Sequence, residues 1–154
     1  MNLTKRLIVI PKEKAVFWMD DQGFWNNEHG KFEHPKIIKH FHRSIRKDKD
    51  GYHVFQETDE FEERVYFPYA DTALFVFDIR FEKNRTLLRL NTGMDLPLEG
   101  ERLFTHNDQL YYQAPEHRIK FTEKALVKLA AFLDEEGERL CFTLGDTPVY
   151  IPEK

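Results

Sequence analysis

A chain of 154 residues with 41% hydrophobic and 32% charged side chains can bury its own core, which excludes a disordered segment and any need for a disulfide or metal staple. Its net charge of −4 excludes a general attraction to nucleic acid or to an anionic membrane. The single cysteine, Cys141, excludes an intrachain disulfide and a Cys-rich zinc centre.

The opening Lys5-Arg6 leads into four strongly apolar residues, 7–10, before Pro11. A signal-peptide core needs about 7–15 apolar residues and a membrane-spanning helix about 20. The longest apolar runs, 15–19, 73–77 and 129–133, are five residues each, so the expected location is the cytoplasm, without membrane insertion. Asp20-Asp21-Gln22-Gly23 and Asn27-Glu28-His29-Gly30 each predict a tight turn closed by a left-handed glycine. With Phe17-Trp18 and Phe24-Trp25 as short strands, the chain opens on a meander.

Pro35 suits the first turn of a helix, where its missing N–H costs nothing. Over 36–47, Ile37, Ile38, Phe41 and Ile45 fall on one face at helical spacing, and Lys36, Lys39, Arg43, Arg46 and Lys47 on the other. Asp50-Gly51 ends that helix and starts a strand at 52–55. Strands are then predicted at 65–69, 73–82, 86–90, 103–104, 110–113 and 118–121, at a spacing that favours antiparallel sheet. The run Leu74-Phe75-Val76-Phe77 suggests burial on both faces. A second helix starts at the N-cap Thr122, buries Leu126, Leu129, Ala130 and Leu133, and stops at Gly137. A hairpin of 140–144 and 149–151 closes the chain. No long repeat is visible in the residues. The expected class is α+β, mostly antiparallel sheet in two small lobes, with a soft boundary at 58/59 that gives 1–58 and 59–154.

Chemistry is sparse. Seven histidines are present, but none is paired as His-x-x-x-His, so they are expected at the surface and no metal site is expected. Glycines stand singly at turns, which removes the common phosphate cradles and any expectation of a cofactor. Ser44, the only serine, lies in the predicted helix away from any glycine elbow. The strongest constellation is the basic set Lys36, Lys39, Arg43, Arg46 and Lys47. It could meet a phosphate, an acidic protein surface or the acidic middle of the chain itself, since residues 58–114 carry 11 Asp/Glu against 6 Lys/Arg. Without aromatic interleaving, nucleic acid is not the expected partner.

The run Gly23-Phe24-Trp25 to Gly30, Pro35-Lys36-Ile37-Ile38 with Phe41 and Ile45, and then Asp50-Gly51-Tyr52-His53-Val54 resembles a bacterial family of domains of unknown function, the one numbered 1285. The resemblance continues through Asp71-Thr72-Ala73-Leu74-Phe75-Val76, Leu90-Asn91-Thr92-Gly93 and the helix after Phe121. It implies a two-lobed α+β protein with an N-terminal α/β roll, a larger β-rich lobe and a signalling or regulatory role. The acidic stretch 57–64 stands where the family implies a more apolar, proline-containing link. No site residue is carried over.

The expectation is therefore a non-catalytic binding or regulatory module that recognises a small anionic ligand or a protein partner. One alternative is a structural or assembly role through an aromatic patch or a strand edge. The other is an enzyme whose groups, among them His53, Asp71, His106 and Asp108, converge only in the folded chain.

Overall fold

The computed structural model describes residues 4–154 and divides into two compact units, Met1–Ala73 and Leu74–Lys154. The first unit contains β1 (Arg6–Ile10), a 3-10 turn at Lys12–Lys14, β2 (Phe17–Met19), β3 (Trp25–Asn27), β4 (Gly30–Lys31), α1 (Pro35–Arg43), β5 (Ile45–Asp48), β6 (Gly51–Glu57) and β7 (Phe61–Tyr66). β2, β3 and β4 form the expected meander. Its first turn is built by Asp20, whose Oδ1 accepts from the N–H groups of Gln22 and Phe24, with Gly23 at φ 82°.

The second sheet runs in the order β1-β7-β6-β5, antiparallel except for the parallel pair β1/β7. β7 is held on both sides by β1 and β6, and residues 59–73 fall in the first unit, which ends at Ala73. Val54, Val65, Ile45 and Tyr52 are buried on one face of this sheet. Arg46, Asp48, His53, Phe55, Arg64 and Tyr66 share the other face through the cross-strand register and the two-residue period of a strand.

The first helix is shorter than its periodicity predicts. At Ser44 the backbone N–H donates to the carbonyls of His40 and Phe41, and Oγ donates to that of His40 at 2.7 Å. Ile45, β-branched, then enters β5 opposite Val54. The apolar pattern that reads as one helix is thus shared between a helix and a strand.

The second unit contains β8 (Phe75–Phe81), β9 (Thr86–Leu90), β10 (Asp95–Pro97), a 3-10 turn at Gly100–Arg102, β11 (Leu103–His106), β12 (Gln109–Gln113), β13 (Arg118–Phe121), α2 (Glu123–Leu129), a 3-10 turn at Ala130–Phe132, β14 (Leu133–Glu136), β15 (Arg139–Thr143) and β16 (Pro148–Ile151). A six-stranded sheet has the order β10-β9-β8-β13-β12-β11, with β13 parallel to β8, and β14-β15-β16 make a separate sheet. Thr122 caps α2 as expected, its side chain accepting from the N–H of Ala125. Here too the helix stops early. Leu133 opens β14, Ala130 is exposed, and Gly137 lies in the β14–β15 turn at φ 65° instead of ending the helix.

The class is α+β, with mostly antiparallel strands in several sheets and two helices. Among the described residues, no helix is long and apolar enough to cross a membrane.

Candidate functional site

α1 is fixed by its inner face. The Phe41 ring meets Phe17, Trp25 and Phe32 edge to face at centroid distances of 5.0, 5.3 and 5.2 Å. The fully buried Trp25 adds a directed bond to these edge contacts, donating its indole N–H to His42 Nδ1 at 3.0 Å. Burial pushes the His42 pKa down to about 4, so the ring is neutral and can accept that proton. His42 is therefore a core residue, against the expectation of surface histidines. Ile37, expected inside, is 46% exposed.

With that face turned inward, Lys36, Lys39 and Arg43 lie together on the outer face, all exposed. At i, i+3 and i+7 they fall within an arc of about 60° and span about 10 Å of helix. The helix holds no acidic residue in its first turn, and none of the three cations forms an ion pair among the described residues.

The other two residues of the predicted basic set go elsewhere, because consecutive strand residues point to opposite faces. Arg46 Nη1 donates to the carbonyls of Arg43 and Ile45, both at 3.0 Å, and its guanidinium lies 5.9 Å from the Phe55 ring. It closes the C-terminal end of α1, where positive charge is favoured. Lys47 points to the other side of β5, with its amine 5.4 Å from the Tyr52 ring.

Asp48 is the centre of a second cluster, on the outer face of the β5–β7 sheet. It accepts from the Tyr66 hydroxyl and, at 2.9 Å, from the backbone N–H of Asp50. Arg64 Nη1 lies 3.6 Å and His53 Nδ1 3.8 Å from its Oδ2. Burial works against ionising Asp48, but the hydrogen bonds from Tyr66 and Asp50 and the nearby His53 and Arg64 hold its pKa below the usual value. Burial lowers the pKa of His53, with Asp48 opposing, and burial and Asp48 raise that of Tyr66. The cluster ties three strands together around one carboxylate.

Of the four dispersed groups named from the sequence, His53 alone enters this cluster, and its neighbours Asp48 and Tyr66 are new. Asp71 is exposed beyond β7. In the second unit, His106 Nδ1 is 2.6 Å from the Lys154 carbonyl, and Asp108 sits exposed in the β11–β12 turn at φ 61°. Among the described residues, no three His, Cys, Asp or Glu side chains converge to hold a metal ion.

The β6–β7 hairpin is the acidic counterpart of α1. Thr58 Oγ1 accepts from the N–H groups of Glu60 and Phe61, which shapes the tip. Glu57 pairs with Lys5. Asp59, Glu60, Glu62 and Glu63 form no ion pair among the described residues.

Comparison with known proteins adds a fold to this geometry. No family model and no curated protein matches the chain. Two crystal structures do. A DUF1285 family protein from Silicibacter pomeroyi DSS-3 superposes with a TM-score of 0.62 over 90% of this chain and 78% of that one, at 10% identity. Another from Shewanella baltica OS155 gives a TM-score of 0.55 over 78% of this chain and 94% of that one, at 16% identity. The fold is that of the DUF1285 proteins. The resemblance read from Gly23 to Val54 and onward thus extends to the architecture, and at such identities it carries no residue role across.

Proposed function

We propose that the chain is a non-catalytic binding or regulatory module of the cytoplasm, whose cationic α1 face receives an anionic ligand or the acidic surface of a protein partner. One observation supports this reading: Lys36, Lys39 and Arg43 stand side by side on a helix held in place by Trp25 and His42, and among the described residues none of the three forms an ion pair. Exposed cations left uncompensated over about 10 Å favour an extended or multiply charged anion over a single carboxylate.

The test uses fluorescent hexaglutamate and, separately, inorganic pyrophosphate as probes, titrated into wild type and a K36E/K39E/R43E variant. Binding should weaken by at least about tenfold in the variant and fall with added salt. K47E is the control, because Lys47 lies on the other side of β5 over Tyr52. Equal affinity for both probes in wild type and the triple variant would overturn the reading.

A further inference from the structure

The first unit carries two uncompensated surfaces of opposite sign, and among its described residues no ion pair joins them. One is the outer face of α1, with Lys36, Lys39 and Arg43. The other is the β6–β7 hairpin, with Asp59 and Glu60 exposed at its tip and Glu62 following on β7. We propose that the cationic face of α1 docks the acidic β6–β7 hairpin of a second copy of this chain. The inference rests on the reading of α1 as a docking face and names its occupant.

Complementarity of charge supports it. The three cations lie along about 10 Å of helix, and the three carboxylates gather at the hairpin, Asp59 and Glu60 in its turn and Glu62 on β7. Both sides are held in shape. The hairpin tip is pinned through Thr58 Oγ1, and α1 is clamped at Trp25–His42, so neither surface must be ordered on contact. Because helix and hairpin are different surfaces, the contact is heterologous and each copy keeps one of each, so copies add head to tail unless the rotation closes a ring.

Sedimentation velocity on the full chain tests this. Between about 0.01 M and about 1 M salt the screening length falls from about 30 to about 3 Å, so wild type should associate at low salt and become monomeric at high salt. K36E/K39E/R43E and D59K/E60K/E62K should each be monomeric at low salt. The chain carrying both triple substitutions keeps its net charge of −4 and regains complementary surfaces, and it should associate again. Circular dichroism identifies any variant that has lost its fold, and the wild-type salt series stands independently of the variants. A wild type that stays monomeric at low salt overturns the inference, as does a doubly reversed chain that stays monomeric while folded. If wild type is monomeric yet α1 still binds hexaglutamate, the self-docking fails and the proposed function stands. If hexaglutamate binding is indifferent to the α1 reversal, the proposed function falls with it.

Discussion

The two units follow the same path with different means of support. Each runs through a 3-10 turn, three strands, a helix and three more strands: Lys12–Lys14 through β7 in the first, Gly100–Arg102 through β16 in the second. Each also widens one of its three-stranded meanders by a single parallel pairing. In the first unit β1 joins β7, behind the helix; in the second β8 joins β13, ahead of it. The helices differ most. α1 has no side-chain N-cap and is held by an aromatic cluster with a buried Trp–His hydrogen bond. α2 is capped by Thr122, buries Ala125 and Leu129, and pairs Lys128 with Asp78. A common chain path therefore leaves the charge of one helix balanced within its own unit and that of the other available.

The largest effect should come from cutting into the packing that holds each helix. Trp25→Ala deletes a fully buried ring and the indole N–H that His42 Nδ1 accepts, and is expected to cost about 3–5 kcal/mol. Leu129→Ala, at an equally buried site on α2 itself, should cost about 2–5 kcal/mol and fall below the Trp25 value. Urea unfolding followed by circular dichroism gives both. A loss under about 1 kcal/mol for Trp25→Ala would show that the aromatic cluster does not hold α1.

Acid should separate the units next. His42 takes up its proton near pH 4 when folded and near 6.5 when unfolded, so between those values the unfolded chain binds more protons. Its contribution is complete above about pH 6.5 and is lost as pH falls to about 4, amounting to about 3 kcal/mol. Burial lowers His53 as well, which adds a loss of the same sign. Asp48, held below its usual pKa, extends the loss below the ordinary carboxylate value of 3.8. Both tryptophans, Trp18 and Trp25, lie in the first unit, so their fluorescence reports on it directly. Urea midpoints should fall steeply from pH 7 to 4.5 in wild type and less steeply in His42→Gln. Parallel curves would remove His42 as the source.

How much of this was legible in the residues depends on range. The hairpin at Asp20–Gly23, the strand Thr86–Leu90, the strand Arg118–Phe121 and the cap Thr122 follow from local turn and cap chemistry, and they stand where expected. The helix ends were misplaced because Ile45 and Leu133 continue an apolar helical pattern that a following strand satisfies equally well. The cations at Lys36, Lys39 and Arg43 were readable from the 3.6-residue period alone. His42 was readable too, since four residues after Ile38 it falls beside it, at the edge of the apolar arc. The Asp48–Tyr66 bond joins residues 18 apart through a register set by neither segment alone, so no local pattern announces it. The repeated path is likewise a property of backbone order, with no repeat of residues to betray it.

The helix starts and the one balanced charge sharpen the comparison at its smallest scale. Thr122→Ala should cost about 1 kcal/mol, because the Ala125 N–H loses its side-chain acceptor. His34→Ala at the start of α1 should be close to neutral, since His34 makes no capping bond and Pro35 already relieves one donor. Lys128→Ala removes a partner that, more than any other cause, holds the Asp78 pKa down. Both side chains are about half exposed, at 45% and 52%, so solvent screens most of the pair and the expected loss is about 0.5 kcal/mol, vanishing at high salt. Paired measurements of stability at low and high salt would decide it. A salt-independent loss would mean that the Lys128 stem acts by packing over β8, and the charge balance that distinguishes α2 from α1 would then rest on geometry alone, without an energetic counterpart.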